Sequence, residues 1–259
     1  MKTVFISGAT EGIGRAFAFL CASKGHNLIL VARNQTRLEQ IVKELAVYPV
    51  SVITYARDLS VPENVREVYE DIRCHVRHVD YVINNAGFGI DASFTETPWE
   101  DLERMFQLNM QTVAFFTRHF AADMKKAGDG RILNVASTGA FQPGPWMAAY
   151  CATKAFVLSL SQAVNYELKG SGVRIVTLCP GVTDTKFHDV AQSHHTGMTR
   201  FLSHATPEEV AAFGYKALLK GKNIAIYGMT NRLVVFLTRL TPRQAWVALA
   251  ARLLKKREA

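Results

Sequence analysis

The sequence predicts an α/β protein: a doubly wound parallel sheet forming one domain over residues 1–230, with a basic helical extension over 231–259. Three observations carry this reading. Short apolar runs alternate with helix-period segments along the chain, the pattern of parallel strands joined by helical crossovers. A glycine-rich turn, Ser7-Gly8-Ala9-Thr10-Glu11-Gly12-Ile13-Gly14, joins the first such run to the first helix. Polar residues with chemistry to offer then recur just after successive strands, where an open sheet of this kind binds its ligands.

The elements follow in order. Thr3-Val4-Phe5-Ile6 opens a strand at 3–7, and the apolar stripe from Arg15 to Ala22 predicts a helix at 12–24. Strands are expected next at 27–32, 50–55, 79–83, 130–136 and 172–179, each a near-continuous apolar run because both of its faces are covered. Helices are expected at 35–46, 62–77 and 148–169, with one long uninterrupted helix at 98–126. Thr206-Pro207-Glu208-Glu209 reads as a capping box with proline at the first helical position, opening a helix at 207–220. Asn223-Ile224-Ala225-Ile226-Tyr227 is the last expected strand.

The glycine turn carries the first chemical signal. Gly8 permits a tight turn, while Gly12 and Gly14 allow backbone to approach a pyrophosphate and the helix to pack on the strand. The helix N-terminus then offers unpaired N–H groups to phosphate. At the end of the second strand an NAD site usually places a carboxylate on the ribose. Here Ala32-Arg33-Asn34 supplies a guanidinium, which suits the 2′-phosphate of NADP(H). The second signal is Tyr150 and Lys154, four residues apart on an expected helix and so on one face, with Ser137 thirteen residues upstream. A fixed ammonium near a phenol favours the phenolate and lowers its pKa toward the working range.

With these motifs in order, the chain resembles the short-chain dehydrogenase/reductase family in its compact single-domain branch, from Lys2 to about Gly228, with Ser-Gly where most members begin Thr-Gly. The resemblance implies a Rossmann-like fold and an NADP(H)-dependent oxidoreductase, here a carbonyl reductase or alcohol dehydrogenase. It makes Tyr150 the acid/base, Ser137 the group that orients the carbonyl, and Lys154 the residue that tunes Tyr150 and grips the nicotinamide ribose. Asn109 would complete the set by tying a water to Lys154 in a proton relay. Cofactor contacts would come from Gly8, Thr10, Gly12, Ile13 and Gly14 of the turn and from Arg33 and Asn34. Asp58 and Leu59 would lie beside the adenine, with Asn85, Ala86 and Gly87 following the fourth strand. Pro180, Gly181, Val182 and Thr185 belong to a loop that would touch the nicotinamide. The resemblance also implies a homodimer or homotetramer built on the helices at 98–126 and 148–169. Phe115, Phe116, Phe120, Phe156, Leu158 and Leu160 are expected to supply its apolar surface. The alternative is an NADP-sensing regulatory protein without turnover, which would have no need of the intact serine–tyrosine–lysine set.

Phe88, Phe94, Phe141, Trp146, Met147 and Phe187 lie on loops expected to line the substrate pocket, and favour an apolar acyl, aromatic or steroid-like compound. Residues 185–204 hold His188, His194, His195 and His204 without the spacing of a metal site, and are expected to form a lid with no metal. Apolar residues at 49% and charged residues at 20% are ordinary for a globular enzyme and exclude disorder. Four cysteines without paired spacing suit a reducing compartment, and strand signal from residue 3 leaves no expected leader, so a cytoplasmic location is expected. Six of the eight net positive charges fall from Asn231 onward, so the basic balance describes the extension and gives no footprint for nucleic acid. Pro242 should divide that extension into two helices. The extension is expected to cover the substrate end of the body, with a membrane surface as the alternative contact.

Overall fold

The computed structural model describes residues 1–184 and 205–254. Seven strands form one parallel sheet in the order β3-β2-β1-β4-β5-β6-β7, the reversal of order falling between β1 and β4. The strands are β1 (Thr3–Ser7), β2 (Asn27–Ala32), β3 (Val52–Ala56), β4 (Tyr81–Asn84), β5 (Gly130–Val135), β6 (Val173–Cys179) and β7 (Ile224–Ile226). This is the doubly wound, Rossmann-like architecture that the alternation of apolar runs predicts.

Period-two alternation sorts each strand between two cores. Val4, Ile6, Leu28, Leu30, Ile83, Leu133, Val176 and Leu178 point to one face. Phe5, Ile29, Val31, Val82, Ile132, Val173 and Ile175 point to the other. Helices α1 (Gly12–Ser23), α2 (Gln35–Leu45) and α7 (Pro207–Lys220) supply Phe17, Leu38, Ile41, Val210 and Leu218 to the first core. The second core is filled by Val65, Val68 and Ile72 of α3 (Pro62–His75) and by Phe116 and Phe120 of α5 (Val113–Ala127). Because both faces are covered, the strands need no polar alternation. The expected capping box is present, with Thr206 Oγ1 accepting from Glu209 N at 3.2 Å and Glu209 Oε2 accepting from Thr206 N at 3.0 Å.

Two expectations are corrected. The long helix is not uniform: α4 (Trp99–Phe106) passes into a wider π-helical turn, Gln107–Thr112, before α5 begins. Such a turn inserts backbone into the helical ladder and re-aims side chains, and here it carries Asn109. The apolar surplus assigned to a subunit interface is mostly used within the chain. Phe116 and Phe120 pack on Phe5 with ring centroids 4.9 and 5.2 Å away, Leu158 is buried, and Phe156 alone of the six is exposed. Phe115 and Leu160 are half-buried.

Beyond β7 the chain forms α8 (Met229–Leu237) and α9 (Arg243–Leu254), with Pro242 at the break between them. Among the described residues no helix is long and apolar enough to cross a membrane.

Candidate active site

A cleft of about 590 Å³ opens at the carboxyl ends of the strands, next to the reversal between β1 and β4. The glycine turn forms its floor at one end. Gly8 and Gly12 adopt φ of +67° and +49°, a region that disfavours side chains. Gly14 is helical, yet a Cβ there would lie 2.1 Å from the Gly8 carbonyl oxygen, so bare backbone is a packing requirement. Asn85 locks the turn: its Nδ2 donates to the carbonyls of Ser7 and Gly8, both at 3.1 Å. Ser7 Oγ in return accepts from Asn85 N at 3.1 Å and Ala86 N at 3.0 Å. The residues after β4 are therefore tied to those after β1, and a concave backbone cradle results.

Arg33, Asn34, Asp58 and Leu59 line the same end of the cleft. Arg33 is exposed, and among the described residues no ion pair engages it. Burial opposes ionisation of Asp58, but Ser60 donates to it from N at 2.9 Å and from Oγ at 2.7 Å. With Arg33 and Arg104 adding their charge, the carboxyl sits below its ordinary range. Two arginines that sequence reasoning passed over, Arg37 and Arg57, also line this end. Arg37 is paired with Glu11 of the glycine turn, and Arg57 with Glu67 at 3.5 Å. On the sequence they are indistinguishable from solvated surface cations.

At the other end Ser137, Tyr150 and Lys154 meet from β5 and α6 (Ala148–Glu167). Burial pushes the Tyr150 phenol well above its ordinary value, and a hydrogen bond from the Ser137 side chain pulls it part of the way back. Lys154 Nζ lies 5.7 Å from the Tyr150 ring centroid and donates to the Val135 carbonyl at 3.0 Å. Burial lowers its ammonium to about 8. In this structure desolvation is the larger influence on the phenol, and the Ser137 hydrogen bond is the one that favours the phenolate against it. Asn109, fully buried, holds the loop after β4. Its Oδ1 accepts from Phe88 N at 3.1 Å, and its Nδ2 donates to Phe88 O at 2.8 Å and Thr153 Oγ1 at 3.1 Å. Gly87 lies between Asn109 and Lys154: a Cβ there would meet Asn109 Oδ1 at 2.9 Å and Lys154 Nζ at 3.4 Å.

Thr10, Ile13, Ala86, Pro180, Gly181 and Val182 line the cleft as well, while Thr185 lies outside the described residues. Of the aromatic and apolar residues expected around the substrate, Phe88, Phe141 and Met147 face the cleft. Phe94 and Trp146 do not; they border a small separate depression with Ile90 and Leu102. Phe187 and the segment 185–204 fall outside the described residues. The extension lies over this end of the cleft, as its sequence suggested. Asn231, Val234, Val235 and Thr238 of α8 and its C-terminal end, with Trp246, Leu249 and Ala250 of α9, complete the apolar wall. Asn231 Nδ2 donates to Tyr227 O at 2.8 Å and packs on Gly181, where a Cβ would lie only 2.4 Å away.

The arrangement can cradle a pyrophosphate on backbone, hold a phosphorylated ribose by cations, and present a phenol, hydroxyl and ammonium to a polar atom at the far end. Comparisons with known proteins agree with it. The family model for short chain dehydrogenase matches residues 2–196. An uncharacterized oxidoreductase of Staphylococcus epidermidis is 29% identical over 245 residues, covering 93% of this chain and 96% of the relative. A short-chain dehydrogenase from Sphingobium yanoikuyae, solved with NADPH, superposes with a TM-score of 0.82 at 28% identity, over 100% of this chain and 98% of that one. A bulky-bulky ketone specific alcohol dehydrogenase from Comamonas testosteroni superposes with a TM-score of 0.79 at 25% identity, over 100% and 97%. Match and geometry together make the chain an oxidoreductase of the short-chain dehydrogenase family, whose members use nicotinamide cofactors.

Proposed function

We propose that the protein is an NADP(H)-dependent carbonyl reductase, or alcohol dehydrogenase in the reverse direction, acting on a bulky apolar ketone or alcohol. The observation that carries this reading is the single cleft that joins Arg33, the glycine cradle and the Ser137–Tyr150–Lys154 cluster under an apolar wall. The residues present fit the cofactor. The cradle leaves no room for a Cβ at Gly14, and the exposed guanidinium of Arg33 just past β2 suits a 2′-phosphate. A bound nicotinamide supplies or accepts the hydride. In reduction, Ser137 Oγ holds the carbonyl oxygen and stabilises its developing negative charge, and Tyr150 donates the proton to that oxygen. Lys154 would hold the nicotinamide ribose, and its ammonium stabilises the phenolate left on Tyr150 once the proton has gone to the substrate oxygen. Asn109 keeps the loop after β4 in place beside them. Phe88, Phe141, Met147, Val234 and Trp246 favour a large hydrophobic carbonyl compound, and the Comamonas neighbour is named for such substrates.

The test is NADPH oxidation over a panel of aromatic, acyl and steroid-like ketones, with NADH alongside. The expected outcome is turnover with NADPH on the bulky members. Tyr150→Phe should retain NADPH affinity and lose about 100-fold or more of that turnover. Near-normal turnover in the variant would sink the mechanism.

A further inference from the structure

We infer that the outer face of α8 is a docking surface for an anionic lipid bilayer. The helix has two apolar faces. Val234, Val235 and Thr238 turn inward to the cleft. Met229, Leu233, Phe236 and Leu237, with Leu240 just past the helix, turn outward at positions i, i+4, i+7, i+8 and i+11, the spacing of a single helical stripe. Met229 is 77% exposed, Leu233 58%, Phe236 55% and Leu240 66%. Isolated apolar residues on a surface need no explanation, but a contiguous stripe of four on one helix, extended by Leu240 beyond it, marks an interaction site.

The charge pattern selects the partner. Arg232 and Arg239 flank the stripe and Arg243 begins α9 beyond it, all three exposed. No Asp or Glu occurs between Gly228 and Arg257. Among the described residues no ion pair engages these arginines. Arg232 is held close to the body by its bond from Nε to the Ile226 carbonyl at 3.0 Å, whereas Arg239 and Arg243 make no side-chain bond among the described residues. A second copy docking the same face about a two-fold axis would set the arginines of this segment, which carries no carboxylate of its own, against their own kind. A bilayer of anionic headgroups answers both features at once. The stripe enters the acyl boundary, and the flanking guanidinium groups take the phosphates.

The surface is independent of the catalytic reading, because its occupancy is measured without turnover. The experiment is co-sedimentation of the full chain with phosphatidylcholine vesicles prepared with and without phosphatidylglycerol. Two double variants accompany it, Leu233→Ser with Phe236→Ser and Arg239→Glu with Arg243→Glu. None of the four side chains lines the cleft, so thermal unfolding and turnover should match the parent. The expected result is binding to the anionic vesicles that falls more than about tenfold in each double variant and weakens at high salt. Absence of binding by the parent chain, or binding that both double variants retain, would overturn the inference. So would conversion of a stable dimer to a monomer by the serine pair in vesicle-free solution, which would assign the stripe to a second copy.

Discussion

Asn109, in the π-helical turn that joins α4 to α5, and the backbone of Phe88, in the loop after β4, form a reciprocal pair of hydrogen bonds, one given and one received. The amide is fully buried, so water cannot replace it. Asn109→Ala should therefore leave an N–H and a carbonyl unpaired, each costing about 1–3 kcal/mol. Urea denaturation should show that loss, and turnover should fall with it as the loop beside Lys154 loosens. A stability change below about 0.5 kcal/mol would mean that the loop is held by other contacts.

Gly14 and Gly25 make opposite demands on an alanine. At Gly14 the backbone is helical but the methyl would meet the Gly8 carbonyl oxygen at 2.1 Å. At Gly25 nothing lies within 4 Å, and the only obstacle is φ of +73°. Gly25→Ala should cost about 1 kcal/mol from local strain. Gly14→Ala must move the turn itself, so it should lose about 1–3 kcal/mol and weaken NADPH binding. Calorimetric titration with NADPH separates the two. Equal affinities would show that the cradle does not hold the cofactor.

Most of the sheet was readable because strands covered on both faces become unbroken apolar runs, and Gly8, Arg33, Asp58, Asn85, Ser137 and Pro180 each stand near a strand's carboxyl end. The π turn at Asn109 left no mark, because six residues are too few to reveal a change of helical period. Phe116 and Phe120 misled for a related reason. Periodicity finds an apolar face but does not say whether Phe5 of the same chain or another subunit covers it. The role of α8 was hidden differently, since its two apolar faces read as one hydrophobic segment until β7 fixed which side meets the cleft. Arg37 and Arg57 stayed unseen because an exposed arginine carries no positional signature.

The cationic end of the cleft should rank its arginines by their prior commitments. Arg37 already pairs with Glu11 and Arg57 with Glu67, whereas Arg33 makes no close ion pair among the described residues and acts on Asp58 only at longer range. Arg33→Ala should raise the KM for NADPH by about tenfold or more, the value of a lost charge-assisted hydrogen bond. Arg37→Ala should do less, because Arg37 is already committed to Glu11. Arg33→Asp should move preference toward NADH by repelling the 2′-phosphate. If the parent enzyme already uses NADH as well as NADPH, Arg33 is not the selector.

Lys154 links the site to stability through pH. Burial lowers its ammonium to about 8, while the unfolded chain keeps an ordinary lysine near 10.4. Between those values the unfolded state binds more protons than the folded one, so this group makes stability rise with pH. Below about 8 both states are protonated and the full cost of burying the charge is present, on the order of 3 kcal/mol. Buried Cys21, Cys151 and Cys179, pushed up to about 12, 11 and 12, act in the opposite sense above about pH 9, so the parent curve alone would mix them with the lysine. Comparison with Lys154→Met isolates the lysine. Relative to that variant, the parent protein without added nucleotide should gain stability as pH rises from about 8 to 10. Denaturant midpoints measured across that window should converge or cross in the parent's favour. A constant difference between the two proteins would show that Lys154 keeps an ordinary pKa, and that its charge stands ready beside Tyr150 throughout the neutral range.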